Sequence, residues 1–229
     1  MKNFLLSLKF IIKRVFRLTG ANIAWLIVTA LIVAIGTESM GVEPVARGDY
    51  DYQFYLMMLP YLLVFLSFGL SSAYSDVYAS VYIRTSGLYK CLRTRAVQVF
   101  LLIMSVVALI PAIIVTAVVN PSALPDFLLI SAIIIGVSLP LASTYFLMWI
   151  VFFGYSIFNL IAGFFGDHFM VEGFKFLPTE LSDSLPVAAL LAVVILLAGL
   201  IVSFIVSDII FRIRKRPRDR QMLKGAMQA

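Results

Sequence analysis

Residues 127–166 read FLLISAIIIGVSLPLASTYFLMWIVFFGYSIFNLIAGFFG, a run of 40 residues without a charged side chain. As a single helix with a rise of about 1.5 Å per residue, this run would extend about 60 Å, roughly twice the hydrocarbon thickness of a bilayer. An acidic segment follows the run and a strongly basic segment ends the chain. The run is therefore predicted to cross a membrane twice, with a turn near Ser138–Thr144 where Pro140 interrupts the helix.

The distribution of charge around the apolar runs predicts how the chain is oriented. Of the 18 Lys and Arg residues, all but Arg47 and Lys175 fall on one side, whereas most of the 12 Asp and Glu residues fall on the other. Cytoplasmic loops of inserted helices are enriched in Lys and Arg, so the basic side is predicted to be cytosolic. Charged residues make up only 13% of the chain, against about 25% in soluble domains, which excludes an ordinary soluble protein.

The sequence predicts an all-α integral membrane protein with an N-terminal amphipathic interfacial helix, six transmembrane helices and both termini in the cytoplasm. Residues 1–229 are expected to form a single transmembrane domain. Its predicted segments are the entry helix 1–20, spans one and two within 21–75, a cytoplasmic coupling loop 76–96, spans three to five within 97–166, short outer helices 167–185, span six 186–211 and a basic cytoplasmic tail 212–229.

The N-terminal segment 2–18, KNFLLSLKFIIKRVFRL, predicts the amphipathic helix. On a helix with about 100° per residue, one narrow arc holds four cations: Lys2, Lys9, Lys13 and Arg17. Apolar side chains fill most of the remaining circumference. The helix is therefore expected to lie in the plane of the membrane interface, with its lysines reaching toward lipid headgroups.

Motifs for catalysis, nucleotide binding and metal binding are missing from the sequence. It contains no H-E-x-x-H, no G-x-S-x-G and no G-x-x-x-x-G-K-[ST], so we assign no catalytic residue and expect the chain not to be an enzyme by itself. The single His168 cannot form a histidine metal site, and the single Cys91 cannot form an intramolecular disulfide. The net charge of +6 lies at membrane boundaries, which is typical of contacts with anionic headgroups and not of nucleic-acid binding.

Asp208 is the one acidic residue that falls inside a predicted span. An intramembrane acid is a candidate proton or cation site. The alternative is an ion pair with Arg212, four residues later and near the basic end of the span. We favour the ion pair, because at this depth the carboxylate can reach interfacial water.

Four aromatic residues of the fifth span are candidates for a hydrophobic substrate pathway: Phe146, Trp149, Phe152 and Phe153. The same side chains can equally face lipid. Small residues in these spans can serve close packing between helices and need not line a pathway.

The inner loop and its continuation, SDVYASVYIRTSGLYKCLRTRAVQVF (75–100), predict two short helices, Ser75–Arg84 and Leu88–Arg95, separated by Thr85-Ser86-Gly87. The loop mixes Tyr and Leu with Arg and Lys, a composition that suits a docking surface for a partner protein. The alternative is a basic loop held against lipid headgroups.

The order of these segments resembles the transmembrane (permease) subunit of a type-2 ABC exporter. Gly87-Leu88-Tyr89-Lys90-Cys91-Leu92 is similar to the segment G-[TL]-x-[KR]-x-L of that family, which leads into the third span where the ATPase couples. The chain departs from the family in two places. Thr94-Arg95-Ala96 stands where the family usually has a proline, and Arg84-Thr85-Ser86 stands where it usually has an acidic residue.

The resemblance implies two such subunits, as a homodimer or heterodimer, in the plasma membrane of a bacterium. A separate ABC ATPase, which holds ATP and magnesium, would bind each cytosolic face. Closure of the ATPases would push on residues 75–96 and on the entry helix, shifting the spans between inward-facing and outward-facing states. The residues expected to contact the ATPase are Tyr78, Tyr82, Arg84, Tyr89, Lys90 and Arg93.

The scarcity of charge within the spans favours export of an amphipathic peptide, a lipid or a hydrophobic compound. An alternative function is that of a non-transporting membrane scaffold or insertion partner, with the inner loop as its binding surface. A secondary transporter would usually need intramembrane ionisable residues or an inverted repeat, neither of which stands out in the sequence. A requirement for ATP would distinguish the exporter from both alternatives.

Overall fold

The computed structural model describes residues 2–15, 59–65, 88–142 and 184–227, together with positions 24, 27, 28, 30 and 31. Every regular element within these residues is helical and no strand occurs among them, so the predicted all-helical fold is confirmed for this part of the chain. Three helices are long and apolar enough to cross a membrane: Tyr89–Val119, Pro121–Leu141 and Leu185–Ile213.

The three long helices correspond to the predicted third, fourth and sixth spans. Within the predicted first and second spans, the described positions are also helical. The predicted fifth span beyond residue 142, the outer helices 167–183 and the first part of the coupling loop lie outside the described residues. The six-span topology is therefore not shown by the structure.

Helix α1 covers Lys2–Val15. Its face toward the rest of the protein is buried or half-buried and carries residues at the i, i+3, i+4 and i+7 spacing of one helical face: Phe4, Ser7, Leu8 and Ile11. Lys9 and Lys13 are exposed, and the helical repeat places them on the opposite side of α1. The helix therefore packs against the protein along an apolar stripe and directs its lysines away from it.

Helix α2 runs from Tyr89 to Val119 and begins inside the predicted coupling loop. The segment Leu88–Arg95 was expected to be a separate short helix, but it leads without a break into the third span, because neither Gly nor Pro separates the two. A π-helical turn, Leu92–Ala96, precedes the regular segment Val97–Val119. The 23 residues of this regular segment extend about 35 Å, which is enough to cross a hydrocarbon layer of about 30 Å.

A tight turn at Asn120 ends α2 immediately before Pro121. The Asn120 amide donates to the Thr116 carbonyl at 3.0 Å, and the Ala123 amide donates to the Asn120 carbonyl at 3.1 Å. The Ser122 hydroxyl is 2.7 Å from the Asn120 side-chain oxygen. These bonds satisfy backbone groups at the junction of two helices, so helix α3 folds back along α2.

Helix α3 covers Leu124–Ala142 and contains Pro140. The expectation that Pro140 interrupts the helix is wrong, since the helix continues beyond it to Ala142. A proline in a helix leaves the carbonyl four residues earlier without its usual donor, which here is the carbonyl of Gly136. Packing of a neighbouring helix can accommodate such a loss in a membrane helix, and helix α4 packs closely against Gly136 at this point.

Helix α4 covers Leu185–Met227 and packs along α3. Its contact face is built from small residues, which permit close approach of helices in membranes: Ala188, Ala192, Gly199, Ser203 and Ser207, all buried. A Cβ atom on Gly199 would lie 2.7 Å from the Gly136 carbonyl oxygen. One turn further, the Ser203 hydroxyl donates to the Leu139 carbonyl at 3.3 Å, so α4 covers the backbone around Pro140.

The opposite face of α4 is exposed and strongly apolar. Residues on this face include Leu190, Val193, Leu197, Ile201, Ile205 and Ile209, each more than half exposed. Exposed apolar faces on helices of spanning length are what a lipid environment requires. The structure is therefore compatible with an integral membrane protein.

Candidate functional site

Three elements meet at the end of the bundle that the charge distribution places in the cytosol. Helix α1 contacts the first turns of α2, and the last buried turns of α4 contact the same π-helical segment. We call this region the inner junction and define it as α1 together with residues 88–98 and 203–213. It brings the entry helix, part of the coupling loop and the end of span six into one packed unit.

The π-helical turn Leu92–Ala96 shapes the α2 side of the inner junction. Leu92 and Ala96 are buried, and the Thr94 hydroxyl donates to the Lys90 carbonyl at 2.8 Å. A π-bulge places one extra residue in a turn, which rotates the preceding residues by roughly 100° relative to a continuous α-helix. The turn therefore sets which way Tyr89 and Lys90 face relative to the regular part of α2, Val97–Val119.

Tyr89 connects the start of α2 to the end of α4. Its ring lies 5.7 Å from the ring of Phe211, centroid to centroid, with the two planes tilted by 56°. Arg93 donates from its guanidinium to the Tyr89 hydroxyl at 2.8 Å, and its guanidinium carbon is 5.9 Å from the Tyr89 ring centroid. Aromatic and cation–π contacts of this kind stabilise a fixed orientation of the side chain.

Asp208 lies at the centre of the charged groups in the inner junction. One carboxylate oxygen is 3.1 Å from the Lys90 ammonium. The other accepts from two guanidinium nitrogens of Arg212, at 2.8 and 2.9 Å. The predicted pair between Asp208 and Arg212 is thus present, and Lys90 is a second partner that the sequence spacing did not indicate.

A buried hydrogen bond lies about one turn deeper in the bundle. The Gln98 side-chain amide donates to the Ser207 hydroxyl at 3.1 Å, joining α2 to α4. Gln98 is 1% exposed and Ser207 is 5% exposed. This buried pair joins α2 to α4 beside Asp208, the residue that follows Ser207.

Replacing Gln98 with Leu is expected to lower the stability of the protein only slightly. Hydrogen bonds between membrane helices average about 0.6 kcal/mol and reach about 1.7 kcal/mol, and a serine hydroxyl in a helix can donate to a backbone carbonyl of its own helix. Thermal unfolding in detergent measures the effect. Gln98→Ala serves as the matched variant and is expected to cost more, because it leaves a cavity where Leu fills the space. Failure of Gln98→Leu to fold during expression would show that the hydrogen bond contributes more to stability than the packing of this side chain does.

Helix α1 packs against the start of α2 in the inner junction. Ile11 and Ser7 are fully buried against α2, and the Ser7 hydroxyl has no hydrogen-bond partner among the described residues. Leu5 and Phe10 are exposed on the flanks of the helix. The entry helix is therefore held by apolar contacts to the same segment that contacts α4.

Three of the six predicted ATPase-contact residues lie in the inner junction: Tyr89, Lys90 and Arg93. Their side chains contact α4 or one another. Lys90 is nevertheless 59% exposed, so part of its surface is accessible. The other predicted residues lie outside the described residues, namely Tyr78, Tyr82 and Arg84, and so do the pathway candidates Phe146, Trp149, Phe152 and Phe153.

Sequence reasoning missed the role of α4 residues in this region. Phe211 and Ser207 contact residues more than one hundred positions earlier in the chain, and no local spacing indicates such a pairing. The described residues contain no group of three or more His, Cys, Asp or Glu side chains able to hold a metal ion. Within this part of the chain, the chemistry of the inner junction is charge pairing and aromatic packing.

No protein-family model, curated protein or solved structure matches the chain. Its function is therefore inferred from its residues and their geometry.

Proposed function

We propose that this chain is the membrane-spanning subunit of an ATP-driven exporter in a bacterial plasma membrane. In this proposal six spans cross the membrane with both termini in the cytosol, and two subunits form the transport unit. A separate ABC ATPase, which holds ATP and magnesium, binds each cytosolic face. Transport proceeds by alternating access, since ATP binding favours one of two arrangements of the spans.

The observation that carries the proposal is the inner junction. A transport subunit driven by a separate ATPase needs a cytosolic surface that is mechanically connected to its spans. Residues 88–96 and α1 contact each other, and the contacts of Tyr89 and Lys90 with α4 connect this surface to a helix of spanning length. A basic loop that merely fixed the topology would not require these contacts.

The composition of the described spans supports an apolar or amphipathic substrate. Residues 97–119, 127–142 and 185–207 contain no charged side chain. Placing a charged hydrophilic compound among such surfaces would require desolvation without a compensating partner. An amphipathic peptide, a lipid or a hydrophobic compound fits better, and preferential transport of a small ion or sugar would contradict this assignment.

Purification of the full chain from its native host in mild detergent, followed by mass spectrometry, tests the proposal. We expect a soluble ABC ATPase in stoichiometric amount. Recovery of the chain alone, or with another membrane protein and no ATPase, would contradict the exporter and favour the alternative of a non-transporting scaffold or insertion partner.

A further inference from the structure

The carboxylate of Asp208 is shared by two cations that reach it from different helices. Arg212 belongs to the same helix as Asp208 and occupies one oxygen, whereas Lys90 comes from the start of α2 and occupies the other. Asp208 is the only acidic residue within 88–98 and 203–213, against the cations Lys90, Arg93, Arg95 and Arg212. The ion pair between α2 and α4 therefore depends on this one carboxylate.

Because its partners are exposed, the ion pair of Asp208 with Lys90 is expected to contribute little to the stability of the protein. The side chains of Lys90 and Arg212 are 59% and 74% exposed. Exposed ion pairs contribute only about 0–1 kcal/mol. The pair fixes the position of Lys90 relative to the end of α4. The contact of Tyr89 with Phe211 and the hydrogen bond from Gln98 to Ser207 hold the same two helices together.

We propose that Asp208 is a positioning residue that joins residues 88–96 to span six, so that movement of this segment is transmitted to α4. This inference rests on the proposed function. The π-helical turn Leu92–Ala96 lies between the anchored residues Tyr89 and Lys90 and the regular part of α2. Wide turns of this kind occur frequently at functional sites, and here the turn lies within the part of α2, Tyr89–Gln98, whose contacts hold it to α4.

The test uses the full chain with its co-purified ATPase, in a Cys91→Ser background that carries Leu185→Cys at the outer end of α4. Leu185 is 44% exposed at the outer end of α4, and labelling of the parent by a membrane-impermeant maleimide without ATP verifies that a cysteine there reaches water. The measured quantity is the rate of labelling with and without ATP, together with the rate of ATP hydrolysis. In the parent protein, ATP is expected to change the labelling rate.

Asp208→Asn is expected to diminish the ATP-dependent change in labelling, because it removes one of the contacts between α2 and α4, while ATP hydrolysis continues. Asp208→Ser also removes the carboxylate and should have the same effect, so it remains informative if Asp208→Asn does not fold. Asp208→Glu keeps the charge and should retain the response. Asp126→Asn, the same substitution in the first turn of α3, should also retain it. A purely structural role for Asp208 would alter labelling equally with and without ATP.

An ATP response of Asp208→Asn or Asp208→Ser equal to that of the parent would overturn the inference and leave the proposed function intact. A parent protein that binds the ATPase but shows no ATP-dependent labelling at Leu185→Cys would also overturn it. Absence of any ATPase from the preparation would instead contradict the proposed function, and with it the basis of the inference.

Discussion

Gly199→Ala is expected to separate α3 from α4 and to destabilise the protein more than any other methyl-sized change in the described residues. The added Cβ would lie 2.5 Å from the Gly136 Cα and 2.7 Å from the Gly136 carbonyl oxygen. Both atoms belong to the backbone, so neither can move aside as a flexible side chain would. Overpacking of this kind typically costs about 1–3 kcal/mol, and here it also displaces α4 from the carbonyl that Pro140 leaves without a helical donor.

Two matched variants distinguish this effect from a general intolerance of substitution. Gly136→Ala would place its Cβ 3.3 Å from the Ile195 Cγ2 atom and 3.4 Å from the Ile195 carbonyl oxygen, so a smaller loss is expected. Ala198→Val changes the exposed neighbour of Gly199 and should be nearly neutral. Fluorescence-detected size exclusion after a temperature series measures all three. Equal stability of Gly199→Ala and Ala198→Val would contradict the close crossing of α3 and α4.

The contact between Gly136 and Gly199 is also a feature that the sequence alone does not predict. Hydrophobic runs indicated that helices of spanning length lie within 97–166 and 186–211, because this signal is local. Whether Pro140 ends a helix depends on what lies beside it. The carbonyl that loses its donor, that of Gly136, is covered by Gly199 of a helix much later in the chain, and a single sequence does not reveal that neighbour.

In the inner junction, too, the sequence predicts a contact between near neighbours in the chain but not one between distant residues. The pair of Asp208 with Arg212 follows from their i, i+4 spacing on one helix. The pair of Asp208 with Lys90 joins two helices distant in sequence, so helical periodicity does not predict it. The π-helical turn was also not predicted, since Leu92–Ala96 has the composition of an ordinary helix and the turn arises in the packed structure.

Charge reversal at Arg84, Lys90 and Arg93 is expected to remove the ATPase from the purified complex while the chain still inserts in the membrane. Across an interface, juxtaposed like charges cost several kcal/mol, so replacing three cations with Glu should abolish co-purification if an acidic ATPase surface docks there. Mass spectrometry of the purified complex measures the partner, and the yield of membrane-inserted chain is the control. Normal complex formation in this variant would contradict the assignment of the docking surface.

Lys90 requires a control of its own, because Lys90→Glu would also place a negative charge beside Asp208. Asp208→Asn breaks the same ion pair from the other side and leaves the charge of Lys90 available to a partner. We expect the ATPase to remain bound to Asp208→Asn and to be lost from Lys90→Glu and Arg93→Glu. Loss from all three would mean that binding requires the contact between α2 and α4, so that the cations act by holding the surface in shape. The comparison thus separates a residue that binds the ATPase from one that positions the segment the ATPase moves.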